Sequence, residues 1–209
     1  MPKNSVLMEL HYFPCIEYVS MIFHHREIVI EQHEHFVKQS YRNRCKIRGA
    51  NKIEELIVPV RHTGKRMIRD IEIDYHQKWM GIHQRAILSA YGKSPYFEYF
   101  GEEISRTLRR KHRWLFDLNL ELLTLCLQLL RIDHTINFTD RFDKVAKNDQ
   151  IDTRGLIHPK KSSNQATNFK SVSYTQVFGN NFVDNLSVLD LMFCEGGNAH
   201  TILSNSRRD

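Results

Sequence analysis

The sequence has no CxxC pair among its four cysteines, no glycine-rich phosphate loop, no GxSxG nucleophile elbow and no apolar run long enough to span a bilayer. Cys15, Cys45, Cys126 and Cys194 lie far apart beside apolar neighbours. That is the usage of buried free thiols in a reducing compartment, not of a zinc site. Without a Gly-rich run leading into Lys-Ser/Thr, the loop Tyr91–Phe97 with Lys93 is no P-loop. The longest apolar stretch, Leu115–Leu130, is broken by Asp117, Asn119, Glu121 and Gln128, whereas a membrane helix needs roughly 20 apolar residues. The opening MPKNSVLMEL lacks the apolar core of a secretory signal, so a cytoplasmic location is expected. No internal repeat is visible.

What the chain does have is enough apolar residue for a core: 41% hydrophobic and 11% aromatic over 209 residues. This excludes wholesale disorder and fits one domain. The formal charge of +6 points to an anionic partner such as a phosphate or nucleotide sugar. No nucleic-acid-binding motif accompanies it, which speaks against DNA or RNA. The basic run RTLRRKHR, Arg106–Arg113, reads most simply as a solvated helix face. The sequence names neither a cofactor nor an oligomeric state.

Periodicity predicts an α/β (or α+β) fold with a central mixed sheet, an N-terminal strand–helix–strand unit and a helical second half. Ser5–Leu10 reads as a buried strand broken by Pro14. A helix then runs to about His25, with Pro14 suited to its first turn, and Glu27–Glu31 is a second strand. Further strands are expected at Tyr41–Ile47, Leu56–Val60 and Ile68–Ile73. Helices are expected from Lys78 to Gly92, over Phe100–Arg113 and over Leu115–Leu130. Thr135–Phe138 reads as a short strand. Lys144–Ser173 is polar and reads as an exposed loop or partly disordered insertion. Order returns at Tyr174–Phe178 and in a helix over Asp184–Phe193, stopped by Gly196-Gly197.

Candidate chemistry clusters near the N-terminus. His11, Glu17 and Tyr18 flank the junction of the first strand and helix. There the carboxyl end of a strand meets a helix N-terminus, an arrangement suited to an anion. Cys15 is a weaker nucleophile candidate at the same junction. Glu31, His33 and His35 share one face if extended, as do Arg42 and Arg44 on the next strand. Arginine forks bind phosphate or carboxylate bidentately, and a neutral imidazole takes a proton near pH 7. Lys38 and Tyr41 lie between these groups. Lys78 and His83 form a further group with His76 and Trp79, Trp79 reading as core. The histidine spacing fits no metalloprotein signature, so no metal is assigned.

Several ordered segments carry a resemblance: LHYFPCIEY at Leu10–Tyr18, KQSYRNRCKI at Lys38–Ile47, ELIVPV at Glu55–Val60 and DYHQKW at Asp74–Trp79. AYGKSPYFEYF at Ala90–Phe100, LFDLNLELL at Leu115–Leu123 and QVFGNNFVDNLSVLDLMFCEG at Gln176–Gly196 continue it. Together they resemble the WbqC-like family. The resemblance implies a role connected with O-antigen and other surface-polysaccharide genes, and brings no catalytic residues with it. Many members open the first motif with Gln-Pro and place Gly before the tyrosine. This chain has Leu10-His11 and Glu17-Tyr18 there. The expectation is a transferase acting on a nucleotide-linked sugar or glycan. Arg42, Arg44 and the first helix N-terminus would hold the donor, with Tyr18, His35, Lys38, Tyr41, Lys78 and His83 as further substrate contacts. His11 or His33 is then the base, with Glu31 beside it. The alternative is a non-catalytic glycan- or enzyme-binding scaffold.

Overall fold

The computed structural model describes residues 5–25, 27–61, 64, 66–160 and 168–208. Its centre is a four-stranded sheet of β1 (Ser5–Met8), β2 (Glu27–Ile30), β7 (Thr135–Phe138) and β8 (Gln150–Asp152). The spatial order is β7-β2-β1-β8 and every pairing is parallel. The α/β class and the opening strand–helix–strand unit expected from the sequence are present. Antiparallel strand pairing, expected within one mixed sheet, lies instead outside it, in two separate ribbons and a few isolated bridges. The ribbons are β3 (Arg44–Arg48) with β4 (Ile53–Ile57), and β5 (Val60–Arg61) with β6 (Glu72–Ile73).

β1 reads SVLM and is buried along its whole length, as a strand inside a parallel sheet must be. Helix α1 (Ile16–His25) packs on β1 and β2. Its neighbours on that side are α5 (Val188–Glu195) and α6 (Ala199–Ser204). Val6, Met8, Ile28 and Ile30 are fully buried. Each such side chain contributes about 1.5–3 kcal/mol by leaving water. Helix α2 (Trp79–Tyr91) packs on α3 (Phe97–Arg109), and α3 on α4 (Leu115–Leu129). The apolar sequence of α4 buries most of its surface, including the polar Asn119.

Three expectations shift. Ile68–Ile73 splits into a 3-10 turn, Ile68–Asp70, followed by β6. The last long helix starts at Val188, with the Ser187 hydroxyl accepting from the Leu189 N–H, and not at Asp184. The polar stretch 144–173 supplies β8, an edge strand on β1. It also supplies the buried Thr153, Ile157 and Phe169; residues 161–167 of it lie outside the described residues.

Candidate active site

In open parallel sheets, ligands favour the crevice beyond the carboxyl ends of the strands. Here all four strand ends deliver polar groups to that edge. Glu9 follows β1, Glu31 follows β2, Thr139 follows β7, and Arg154 and Gly155 follow β8.

Glu9 is 2% exposed. Its carboxylate accepts the Gly155 N–H at 3.1 Å to each oxygen. It also meets His11 Nε2 at 3.4 Å and Arg42 Nη2 at 3.3 Å. Gly155 adopts φ 68°, a left-handed conformation that favours glycine, and so presents its N–H to the carboxylate. Burial alone raises the Glu9 pKa, but the His11 hydrogen bond and the charges of His11 and Arg42 outweigh it and hold it at about 2. Burial lowers the His11 pKa, with Glu9 opposing. Glu9 therefore stays ionised, while burial favours the neutral form of His11. In that form its Nε2–H donates to Glu9, and among the described residues its buried Nδ1 has no hydrogen-bond partner. The imidazole ring lies 4.6 Å from the Tyr18 ring and 5.4 Å from the Tyr41 ring. Tyr18 donates its hydroxyl to the Glu9 carbonyl at 2.9 Å.

Arg42 closes the cluster. Its Nε and Nη2 donate to the two oxygens of Glu34 at 2.7 and 2.5 Å. The buried Asn119 of α4 donates to its carbonyl at 2.7 Å. Burial pushes the Glu34 pKa up against the pull of Arg42. A second ion-paired group sits alongside. Arg154 reaches Glu31 at 2.8 Å and grips Asp152 with Nε and Nη2 at 2.9 and 2.8 Å. The other Glu31 oxygen accepts the Thr139 hydroxyl and the His33 backbone N–H, each at 2.9 Å.

The turn from β1 into α1 is strained and pinned. Phe13 adopts φ 39° at full burial, and Ser187 Oγ donates to its carbonyl at 3.0 Å. Such strain persists only where the surroundings over-determine it.

The candidates thus separate. His11, Tyr18, Tyr41 and Arg42 come together, with Glu31 in the neighbouring group. Arg42 does not offer a free fork, because Glu34 and Glu9 occupy it. Arg44 lies on the ribbon and pairs with Glu55 at 2.8 Å. The α1 N-terminus is filled by its own chain: the Ile16 N–H bonds Leu186 O at 3.0 Å and the Glu17 N–H bonds Asn185 Oδ1 at 2.9 Å. The donor-binding arrangement expected of Arg42, Arg44 and this helix end is therefore not present. His83 is buried in the core, its Nδ1 2.8 Å from the Tyr12 hydroxyl and its ring edge-on to Trp79. Lys78 is exposed just before α2, and His35 and Lys38 are exposed on the loop after β2. Cys15 is buried, and burial pushes its thiol up to about 12, opposite to what a nucleophile needs.

His33 opens outward from this edge. It lines a cavity of about 550 Å³ together with Gln32, Met67, Arg69, Asp70, Trp114, Phe116 and Asp117. Among the described residues, the side chains of His33, Arg69 and Asp70 make no hydrogen bond or ion pair within the chain, while Asp117 acts on His112 through its charge. The charged groups of the buried clusters are paired with one another, whereas His33, Arg69 and Asp70 on the cavity wall are not.

The family model described as the WbqC-like protein family matches residues 10–202. The chain belongs to the WbqC-like protein family. Comparison with curated proteins and with solved structures finds no match. In this WbqC-like chain the matched region begins at Leu10, one residue past Glu9, and takes in the groups that follow β2, β7 and β8. Among the described residues no helix is long and apolar enough to cross a membrane.

Glu9, Glu34 and Arg154 were missed by sequence reasoning. Glu9 reads as part of a buried strand and Arg154 as part of a polar loop. The one available signal was a lone carboxylate, Glu9, inside the apolar run SVLMEL.

Proposed function

We propose that the chain is a cytoplasmic transferase of surface-polysaccharide synthesis, acting on a nucleotide-linked sugar or glycan in the cavity beside His33. The observation that carries this is the cavity's place at the carboxyl edge of the parallel sheet, where among the described residues the side chains of His33, Arg69 and Asp70 make no hydrogen bond or ion pair. His33 takes the proton of an acceptor hydroxyl or amine as that atom attacks the donor's anomeric or acyl carbon, and the donor's leaving group departs with the bonding electrons. Arg69, the cation on the cavity wall, replaces Arg42 and Arg44 as the contact for an anionic donor. Glu31 fixes the backbone of His33, and the Glu9–His11–Arg42–Glu34 cluster is the foundation under the loop that carries it. Family membership supports the pathway assignment. The scaffold reading is favoured by one feature, a largely apolar groove between α2 and α3 lined by the exposed Leu88 and by Phe97.

A thermal-shift screen with nucleotide sugars and acyl-CoA donors tests the proposal. A donor well above its Kd is expected to raise the midpoint by several degrees, and Arg69→Ala to reduce the shift. No response of the parent protein to any donor contradicts the transferase and favours the scaffold.

A further inference from the structure

Three segments wall the cavity: the residues after β2, the 3-10 turn Ile68–Asp70, and the start of α4. They are tied together by backbone. Leu115 N–H bonds Ile71 O at 2.9 Å, and Ile68 N–H bonds Glu34 O at 2.9 Å. The spacing of the wall is therefore built into the fold and does not wait for a ligand.

Trp114 stands at the mouth of α4, partly exposed, one ring face covered by the Arg113 guanidinium at 4.5 Å from the centroid. Asp70 and Asp117, both exposed, line the same cavity with Gln32. An aromatic ring supplies apolar area with a polar handle, and carboxylates accept hydrogen bonds in several directions. This combination matches a pyranose, whose ring carbons stack on an indole while its hydroxyls donate to carboxylates. Of the two nearby arginines, Arg113 is paired with Glu72 at 3.3 Å, which leaves two aspartates facing Arg69, so the wall favours a sugar bearing an amine and disfavours one bearing a carboxylate.

We infer that this cavity holds the sugar acceptor as a pyranose subsite, with Trp114 as its platform and Asp70 and Asp117 as acceptors for its hydroxyl or amino groups. The inference rests on the reading of the cavity as the reaction site and adds the class of molecule that His33 deprotonates.

The chain has two tryptophans, and Trp79 is 3% exposed, so a sugar reaching the cavity is read through Trp114 emission. Titration of glucosamine, glucose and glucuronate into the parent protein is expected to give a saturable emission change, tightest for glucosamine and weakest for glucuronate. Trp114→Phe removes the change while far-UV circular dichroism stays that of the parent. Asp70→Asn and Asp117→Asn, at exposed positions, each weaken glucosamine by about tenfold. No saturable change with any sugar, or tightest binding of glucuronate, overturns the subsite. If donors still raise the melting midpoint in that case, the transferase reading stands and the subsite alone fails. A sugar response without any donor response supports the subsite while contradicting the transferase.

Discussion

Arg42 holds Glu34 with two parallel hydrogen bonds, 2.7 and 2.5 Å long, where both side chains are shielded from water. Removing one partner of a buried pair strands the other charge and costs about 3–5 kcal/mol. Arg42→Ala and Glu34→Ala are each expected to lower stability by that order in urea unfolding. The double variant loses clearly less than the sum of the two. Arg44→Ala, which breaks a pair nearer the surface, costs under about 1 kcal/mol. Additive losses at Arg42 and Glu34 contradict the pairing.

Acid sensitivity follows from the buried groups. Burial lowers the pKa of His83 to about 4 from an ordinary 6.5. The fold therefore favours its neutral form, and this contribution is complete above pH 6.5. It is lost as pH falls from 6.5 to 4, on the order of 3 kcal/mol. His11 shifts in the same direction. Glu9, held at about 2 against an ordinary 4.5, adds stability that is present above pH 4.5 and lost as pH falls from there to 2. Glu34 and Asp190, both raised by burial, work the other way: they take up protons more readily when folded and offset part of the loss as pH falls toward their ordinary 4.5 and 3.8. Melting midpoints measured from pH 7.5 to 3 are expected to fall steadily from about pH 6.5 downward. His83→Phe flattens the first part of the fall. A midpoint unchanged between pH 7 and 4.5 contradicts the assignment.

The four thiols give a separate check. All four are buried, and burial pushes Cys15, Cys126 and Cys194 to about 12. A thiolate-selective reagent at pH 8 is expected to react slowly with the native protein and rapidly with four equivalents in denaturant. Fast labelling of a native thiol at Cys15 contradicts its burial and reopens it as a nucleophile.

Local pattern made the elements legible and left their partners illegible. The SVLM and EIVI runs and the apolar repeat of Leu115–Leu129 announce two strands and a buried helix. β8 does not announce itself, since QID is three residues in a polar stretch and is ordered by pairing with β1. The same limit governs the site. His11 and Arg42 were visible as ionisable residues, and their meeting at Glu9 is a tertiary event between the end of β1 and the loop before β3. Arg42 and Arg44 looked equivalent from period-two spacing. Arg42 lies before β3 begins, its carbonyl bonded to Asn119, so the two side chains part company. The cavity beside His33 was illegible for the same reason, because Asp70 and Trp114 arrive from segments more than 35 residues apart in sequence.

The central claim is that His33, at the edge of the open cavity, performs the proton transfer and the buried His11 does not meet substrate. The direct measurement is the turnover of His33→Ala on the donor and acceptor selected by the thermal-shift and fluorescence titrations. The account predicts a kcat reduced by about 10²–10⁴ with donor Kd unchanged. A folded His33→Ala protein that turns over at the parent rate contradicts it.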